Sequence, residues 1–344
     1  MVERKFDNRI TIKDIAVEVN VSTATVSKAL RGKEGVSEET LEKVLESAQR
    51  LNYYPNLQAR TLVGQKPNGI GIIIPQTSEF AFSNPYYAEI IKGIAAKTRE
   101  SDQHLLFYFA EEESYAQMFF QRLVSGIIVM ANRLNDPWIA EAWKKKVPMV
   151  LIPGCVSPER IPSVDINNVE AGFLAVNYLI KIGHRRIGFV NGHGNSKYSI
   201  GRLEGFKKAF EINKLPLNRE LILDLDFTQE RAYEGMKKLV CLIKPPTAVL
   251  VITDYCALGA LKGAKDMNLR VPEDISIVSF GDVPFASMLD PRLTTIRQPF
   301  REIGYEAVNM LLKIIDGKRL HNRNLLLPVE LVVRESSSPP KQKE

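Results

Sequence analysis

At 344 residues the chain is too long for one ordinary core and divides into roughly two to three domains of about 100–200 residues each. Hydrophobic residues make up 45% and charged residues 25%, a globular mix that excludes disorder, and no apolar run approaches the ~18–20 residues of a membrane helix. The balance of 46 Lys/Arg against 40 Asp/Glu leaves +6, too mild a charge to indicate nucleic acid without a pattern. Cys155, Cys241 and Cys256 form no Cys-x-x-Cys pair, which excludes a disulfide framework and a structural zinc site and suits a reducing cytoplasm. Met1-Val2-Glu3-Arg4-Lys5 leads into charge, so no secretory signal is expected.

The first fifty residues read as three short helices. Thr11 caps the first, with Asp14 three positions on, and Ile12, Ile15, Ala16 and Val19 form its apolar face. Asn20-Val21 is a tight break, because asparagine tolerates the left-handed conformation. Ser22 caps a second helix whose buried side is Val26, Ala29 and Leu30. After a loop from Gly32 to Gly35, Ser37 with Glu38 and Glu39 opens a third helix, in which Leu41, Val44, Leu45, Ala48 and Leu51 recur at helical spacing. Asn52-Tyr53-Tyr54-Pro55 closes the unit, since a residue before proline is steered away from helix. Asn56 to Val63 then offers about two helical turns, too few to be stable without a partner.

From residue 70 the pattern changes to strand–helix alternation. Ile70 to Pro75 reads as a buried strand, Tyr86 to Glu100 as a helix and His104 to Phe109 as a strand. Further strands are expected near 126–130, 148–152, 186–190, 220–224, 247–252 and 275–280. Continuous apolar strands alternating with amphipathic helices predict parallel sheets covered on both faces. This stretch is longer than one open sheet usually takes, so two similar lobes are expected. From Ser336 the chain is polar with two prolines and is expected to be a disordered tail.

Two helices joined by a short break, the second with a polar face, form a helix-turn-helix arrangement. In the second helix Thr23, Ala24, Ser27 and Lys28 point away from the apolar side. Threonine can meet base edges with its hydroxyl or thymine with its methyl, alanine can meet a thymine methyl, and lysine can reach guanine acceptors. Ser22 and the free N–H groups of the helix start suit a phosphate. A small helical bundle with a solvated face is the alternative that composition leaves open.

Five segments decide between them. Thr11-Ile12-Lys13-Asp14-Ile15-Ala16, Val21-Ser22-Thr23-Ala24-Thr25-Val26-Ser27-Lys28-Ala29-Leu30, Val36-Ser37-Glu38-Glu39-Thr40, Leu51-Asn52-Tyr53-Tyr54-Pro55-Asn56 and Ala59-Arg60-Thr61-Leu62 follow one another in the order and spacing of a known head. Together they resemble the DNA-binding head of the LacI/GalR family of transcription regulators. The resemblance implies DNA contacts from Thr11, Ser22, Thr23, Ala24, Thr25, Ser27, Lys28, Arg31, Tyr53 and Asn56. It also implies that the hinge helices of two subunits pair in the minor groove, with Leu62 wedged between central base steps and Ala59 packed at the same site. Many relatives carry arginine where this chain has Lys28; lysine lacks the planar fork for bidentate guanine contact.

The likeness extends over about residues 11–335, with landmarks in Asn84-Pro85-Tyr86-Tyr87, Gly183-His184-Arg185-Arg186-Ile187, Arg202-Leu203-Glu204-Gly205-Phe206, Val271-Pro272-Glu273-Asp274-Ile275-Ser276 and Leu293-Thr294-Thr295-Ile296-Arg297-Gln298-Pro299. It implies a core like the periplasmic sugar-binding proteins, with two doubly wound parallel-sheet lobes joined by three crossovers and the ligand between them. On this resemblance Arg202 forks ligand hydroxyls, Phe227 stacks on the effector, and Tyr86, Tyr87, Asp254, Asp282 and Gln298 complete the site. Three departures stand out: Thr253-Asp254 where relatives have Asn-Asp, Phe280-Gly281-Asp282 where they have Phe-Asp-Asp, and Asn167 where aspartate is usual. A carboxylate missing at Gly281 leaves space for a larger ligand, and the stretch Thr77 to Ser83 is longer than in many relatives. These features resemble the maltose-type branch, whose effectors are di- or oligosaccharides.

The resulting expectation is a cytoplasmic transcriptional repressor of sugar-utilisation genes. It would bind a palindromic operator in double-stranded DNA as a homodimer and be switched by a small-molecule sugar. The expected domains are a helix-turn-helix head at 1–54, a hinge helix and linker at 55–67, and a core at 68–335. Within the core the N-lobe takes about 68–167 and 299–327, the C-lobe about 168–298 and 328–335, and a disordered tail occupies 336–344. A soluble sugar-binding protein without DNA function is the alternative. No enzyme, metal site or cofactor is expected: His104, His184, His193 and His321 lack metal-ligand spacing, and Gly192-His193-Gly194 only half resembles a dinucleotide loop.

Overall fold

The computed structural model describes residues 10–30, 35–53, 67–109, 114–130, 134–153 and 161–341. Contacts divide the chain into two units that part between Pro67 and Asn68. Arg31, Asn56, Ala59, Leu62 and nearly all of the expected hinge at 55–67 lie outside the described residues.

The head consists of α1 (Ile12–Val19), α2 (Thr23–Ala29) and α3 (Glu38–Arg50). Thr11 and Asp14 close a capping box on α1: the Thr11 N–H donates to Asp14 at 2.7 Å, and the Thr11 hydroxyl accepts from the Lys13 N–H at 3.2 Å. Asn20 ends α1 at φ 54°, the left-handed turn its side chain permits. Ser22 Oγ then accepts from the Thr25 N–H at 3.0 Å and starts α2. Ile15, Ala16, Val26, Ala29, Val44 and Ala48 form the buried core, with Ile12, Val19, Leu30, Leu41, Leu51 and Tyr53 packed round it. Leu45, expected on the buried side of α3, is half exposed. The buried stripe runs through Leu41, Val44, Ala48 and Leu51, and Leu45 lies one residue past it.

The second unit opens with β1 (Gly69–Ile74), α4 (Ser78–Ser83), α5 (Pro85–Glu100), β2 (His104–Phe109), α6 (Gln117–Phe120), β3 (Gly126–Met130), α7 (Pro137–Lys144), β4 (Met149–Ile152) and β5 (Ser163–Ile166). It continues through α8 (Asn168–Lys181), β6 (Ile187–Asn191), α9 (Lys197–Ile212), β7 (Ile222–Asp224), α10 (Gln229–Val240), β8 (Ala248–Val251), α11 (Asp254–Asp266), β9 (Ser276–Gly281) and β10 (Thr294–Arg297). It closes with α12 (Phe300–Ile315), β11 (Asn324–Leu327) and β12 (Glu330–Val332). The sheets repeat one topology, β2-β1-β3-β4-β5-β11 and β7-β6-β8-β9-β10-β12, with every pairing parallel except β10 with β12. β1, β3, β4, β5, β8 and β9 are buried at every position, as their apolar runs require; β2, at a sheet edge, is not.

The chain passes between the sheets three times: from β5 into α8, from β10 into α12, and from β11 to β12. α12 therefore packs on α5 and the first sheet, whereas α8 packs on α9 and the second. Gly172 and Gly205 make the α8–α9 crossing possible, because a Cβ on either would overlap the carbonyl of Arg202 or Val169. The helix that carries Arg202 is thereby pressed against the start of α8.

The expectation of a disordered tail from Ser336 is corrected by its packing. The Ile277 N–H donates to the Ser336 carbonyl at 2.7 Å, Ser336 Oγ donates to the Ile277 carbonyl at 2.7 Å, and Ser336 and Ser337 are buried. Backbone and serine hydroxyl groups here bond with the second sheet, so a polar segment is ordered without an apolar one. His184 joins this anchor through Nδ1 to Thr247 Oγ1 at 2.8 Å and Nε2 to the Ser338 carbonyl at 2.9 Å. Burial lowers the His184 pKa from 6.5, so the folded protein keeps the ring neutral while the unfolded chain protonates first. The neutral ring's contribution is complete above pH 6.5 and is lost as the pH falls below it. The melting temperature of wild type is expected to fall more steeply than that of His184→Gln on acidification below about pH 6.5. Equal slopes in the two proteins would exclude His184 as the cause.

Candidate functional site

The head presents Thr23, Ala24 and Lys28 as exposed residues on the outer side of α2, opposite the buried Val26 and Ala29. Ser22 is exposed and Thr25 and Ser27 are half-buried beside them. The hydroxyls of Ser22 and Thr25 bond to each other at 2.9 Å, so both are held in the cap of the helix. Thr11 is exposed at the start of α1, its hydroxyl donating to Asp14 at 2.7 Å, and Tyr53 is half-buried against the head core. Small side chains at the start of α2 allow its backbone a close approach to a groove.

In the second unit a cavity of about 460 Å³ lies where strand ends of the two sheets face one another. Tyr86, Tyr87, Arg202, Phe227, Asp254 and Gln298 all line it, so six expected effector residues, distant in sequence, come together. Asn84 caps α5 by accepting from the Tyr86 N–H at 3.1 Å, which sets Tyr86 and Tyr87 at the mouth of the first lobe. The Tyr86 ring meets Tyr87 and Phe300 edge-on at 5.1 and 5.5 Å. Phe227 packs on Tyr198 at 5.1 Å between centroids. Burial pushes the Tyr86 phenol well above its usual pKa and Tyr198 up to about 12, so both remain hydroxyls at neutral pH.

Arg202 is buried at the centre of this arrangement. Its Nε donates to Asn168 Oδ1 at 3.1 Å and its Nη1 to the Ile252 carbonyl at 2.5 Å, which leaves the Nη2 amino group without a hydrogen bond among the described residues. The guanidinium also lies 4.4 Å from the centroid of Phe280. Burial lowers its pKa to about 10, still far above neutrality, so the group keeps its charge. Asp254 is buried as well, and its carboxylate accepts from Ser279 at 2.5 Å, Thr295 at 2.7 Å and the Val283 N–H at 3.0 Å. Desolvation raises its pKa while those donors oppose the rise. It borders the cavity but ties α11 to β9 and β10 with its oxygens.

The comparisons agree with this geometry. Residues 11–56 match the model described as bacterial regulatory proteins, lacI family, and residues 176–337 match that of the periplasmic binding protein-like domain. The HTH-type transcriptional repressor CytR of Escherichia coli K12 is 33% identical over 342 residues, covering 98% of this chain and 99% of that protein. The chain belongs to the LacI family. The structure of the lac repressor dimer bound to operator and the anti-inducer ONPF matches with a TM-score of 0.86 at 28% identity, over 96% of this chain and 100% of that one. A transcriptional regulator CelR–cellobiose complex matches with a TM-score of 0.74 at 26% identity, again over 96% and 100%. As a LacI-family member the chain is a DNA-binding transcriptional regulator and not an enzyme.

Within this LacI-family core, one expected effector residue is misplaced. Asp282 does not line the cavity: its carboxylate accepts from Arg297 at 2.7 Å and Arg334 at 2.5 Å, joining β9, β10 and the C-terminal segment. The family resemblance placed it in the cavity, but it lies one residue past the end of β9, where the chain turns at φ 62°. The departure at Gly281 has a backbone cause. Its φ is +147°, and a Cβ would stand 2.7 Å from Asp254 Oδ2, so the position admits no carboxylate in this conformation. Asn167 is exposed and caps α8 by accepting from the Glu170 N–H at 3.1 Å.

Sequence reasoning missed several cavity residues. Ser78–Ser83, capped by Thr77, forms α4, which brings Phe80 edge-on to Tyr255 of the opposite lobe at 6.5 Å. Asp165 and Asn168, on either side of Ile166 and Asn167, are both buried and line the cavity. The available signal was Asp165 itself, a charged residue between the apolar Val164 and Ile166.

Proposed function

We propose that the chain is a repressor of sugar-utilisation genes that binds a palindromic operator as a homodimer and is switched by a sugar in the interlobe cavity. The observation that carries the effector reading is the meeting of Arg202, Tyr86, Tyr87, Phe227 and Gln298 around one cavity between two lobes. Its volume, about 460 Å³, falls within the ~300–1,000 Å³ of pockets that enclose small ligands. Aromatic faces suit the apolar sides of sugar rings, and the breadth of the cavity favours a di- or oligosaccharide over a single ring. The CelR–cellobiose complex gives a precedent in a similar chain.

The DNA reading rests on the exposed Thr23, Ala24 and Lys28 of α2 and on the lac repressor dimer bound to operator. Two-fold symmetry in the dimer requires half-sites related by the same axis. DNA as partner sets the location in the cytoplasm. A sugar that changes the separation of the two N-lobes would pull apart the hinge segments that contain Ala59 and Leu62, with coupling of about 1–3 kcal/mol. Leu62→Ala is expected to weaken binding to a duplex selected by the protein from a random pool, with the melting of the core unchanged; equal affinity would remove the wedge. A thermal-shift screen of mono-, di- and oligosaccharides, with duplex release read for each hit, tests the effector. A stabilising sugar that leaves duplex binding unaltered would refute the switch.

A further inference from the structure

Among the described residues, Asp165, Asp226 and Asp254 are the carboxylates that line the cavity. Asp254 is committed to protein donors, and Asp226 is exposed with one oxygen accepting from the Phe227 N–H at 2.8 Å. Asp165 differs from both. It is 5% exposed at the end of β5; its Oδ1 accepts from the Ile166 N–H at 2.7 Å and from Asn168 Nδ2 at 3.2 Å. Its Oδ2 is buried without a hydrogen bond among the described residues and has the Lys197 ammonium 3.3 Å away. Lys197 belongs to α9, so this ion pair spans the two lobes.

Asn168 links the acid to the base. It donates to Asp165 through Nδ2 and accepts from Arg202 Nε through Oδ1 at 3.1 Å, so its amide sets the spacing of carboxylate and guanidinium. All three side chains are more than nine-tenths buried and line the cavity. An acceptor and a donor held in this way match a hydroxyl, which donates one hydrogen bond and accepts another. A buried acceptor left without a hydrogen bond is costly, and Lys197, on a flexible and partly exposed stem, is the group able to move aside for a ligand.

We propose that Asp165 is a specificity-determining residue of the effector site. Its Oδ2 accepts a hydrogen bond from a hydroxyl of the sugar ring while Arg202 Nη2 donates to the same or the adjacent hydroxyl, with Asn168 as the positioning residue. This rests on the sugar reading of the cavity. Asp165→Asn keeps the side-chain size and an oxygen for Ile166 and Asn168, but turns Oδ2 into a donor.

The test is calorimetric titration of wild type, Asp165→Asn, Lys197→Met and Arg202→Ala with glucose, galactose, ribose, maltose, lactose and cellobiose. Asp165→Asn is expected to bind the best of these at least tenfold more weakly than wild type and to change the affinity ratio within the epimer pairs glucose/galactose and cellobiose/lactose. A merely structural role would leave that ratio alone. Lys197→Met is expected to keep the wild-type ratio. If Asp165→Asn matches wild type while Arg202→Ala loses binding, Asp165 is overturned and the cavity reading stands. The assignment is also overturned if Lys197→Met reproduces the Asp165→Asn profile, because the ion pair alone would then be responsible. If wild type binds none of the six sugars, or Arg202→Ala binds as wild type does, the parent reading fails and takes the assignment with it.

Discussion

Arg202→Ala is expected to abolish the response to effector while binding to the selected duplex persists. The substitution removes the cationic donor of the cavity and its contact with Phe280. Loss of charge-assisted hydrogen bonds in a buried site is expected to weaken effector binding by about 100-fold, equivalent to about 2.7 kcal/mol. The same change leaves Asn168 Oδ1 and the Ile252 carbonyl without the bonds that Arg202 gives them, at about 1–3 kcal/mol each. The core should therefore melt earlier, whereas the head has its own core and keeps its fold. Arg202→Lys separates charge from shape: the ammonium retains the charge but cannot serve Asn168, Ile252 and a ligand in one plane. Fluorescence titration with a sugar hit, beside duplex binding, reads both effects. A normal effector response in Arg202→Ala would remove the pocket assignment.

Gly281→Asp is the second large effect. It places in this chain the aspartate that the family resemblance leads one to expect at this position, and it is expected to damage the site. At φ +147° a side chain is strained in any surroundings, and the new Cβ would meet Asp254 Oδ2 at 2.7 Å. Its carboxylate would also stand beside the buried Asp254 carboxylate, whose pKa is already raised by burial. Strain and like-charge burial together suggest a loss of about 3 kcal/mol or more in core stability. Gly281→Ala should show the strain without the second charge, so it is expected to fall between wild type and Gly281→Asp in denaturant melts. Wild-type stability in Gly281→Asp would mean that the backbone turn at the end of β9 is not fixed as described.

The head was almost fully legible because its signals are local. Capping residues at Thr11, Ser22 and Ser37, the left-handed Asn20 and the spacing of Ile15, Ala16, Val26 and Ala29 each act within a few residues. The two-lobed core was legible from apolar strands that are buried throughout, and six of the residues named by the family resemblance line the interlobe cavity. What sequence hid was long-range. The tail from Ser336 looks like any polar end until Ile277 and Thr294 are beside it. Asp282 looks like a cavity acid until Arg297 and Arg334 take its oxygens. Asp165 needed Lys197 from the other lobe and Asn168 from the first crossover to show as a member of the site. Partners distant in sequence decide whether a polar residue is structural or available, and spacing along the chain carries no record of them.

The most direct measurement follows binding of the full chain to its selected duplex against random competitor DNA over a salt series, with and without each sugar that stabilises the core. A preference for the selected duplex is expected, with affinity falling linearly in log–log form as salt rises because phosphate contacts release counterions. At least one stabilising sugar should shift the whole line without altering the fold. Equal binding to selected and random duplexes at every salt concentration, with every sugar, would contradict the account.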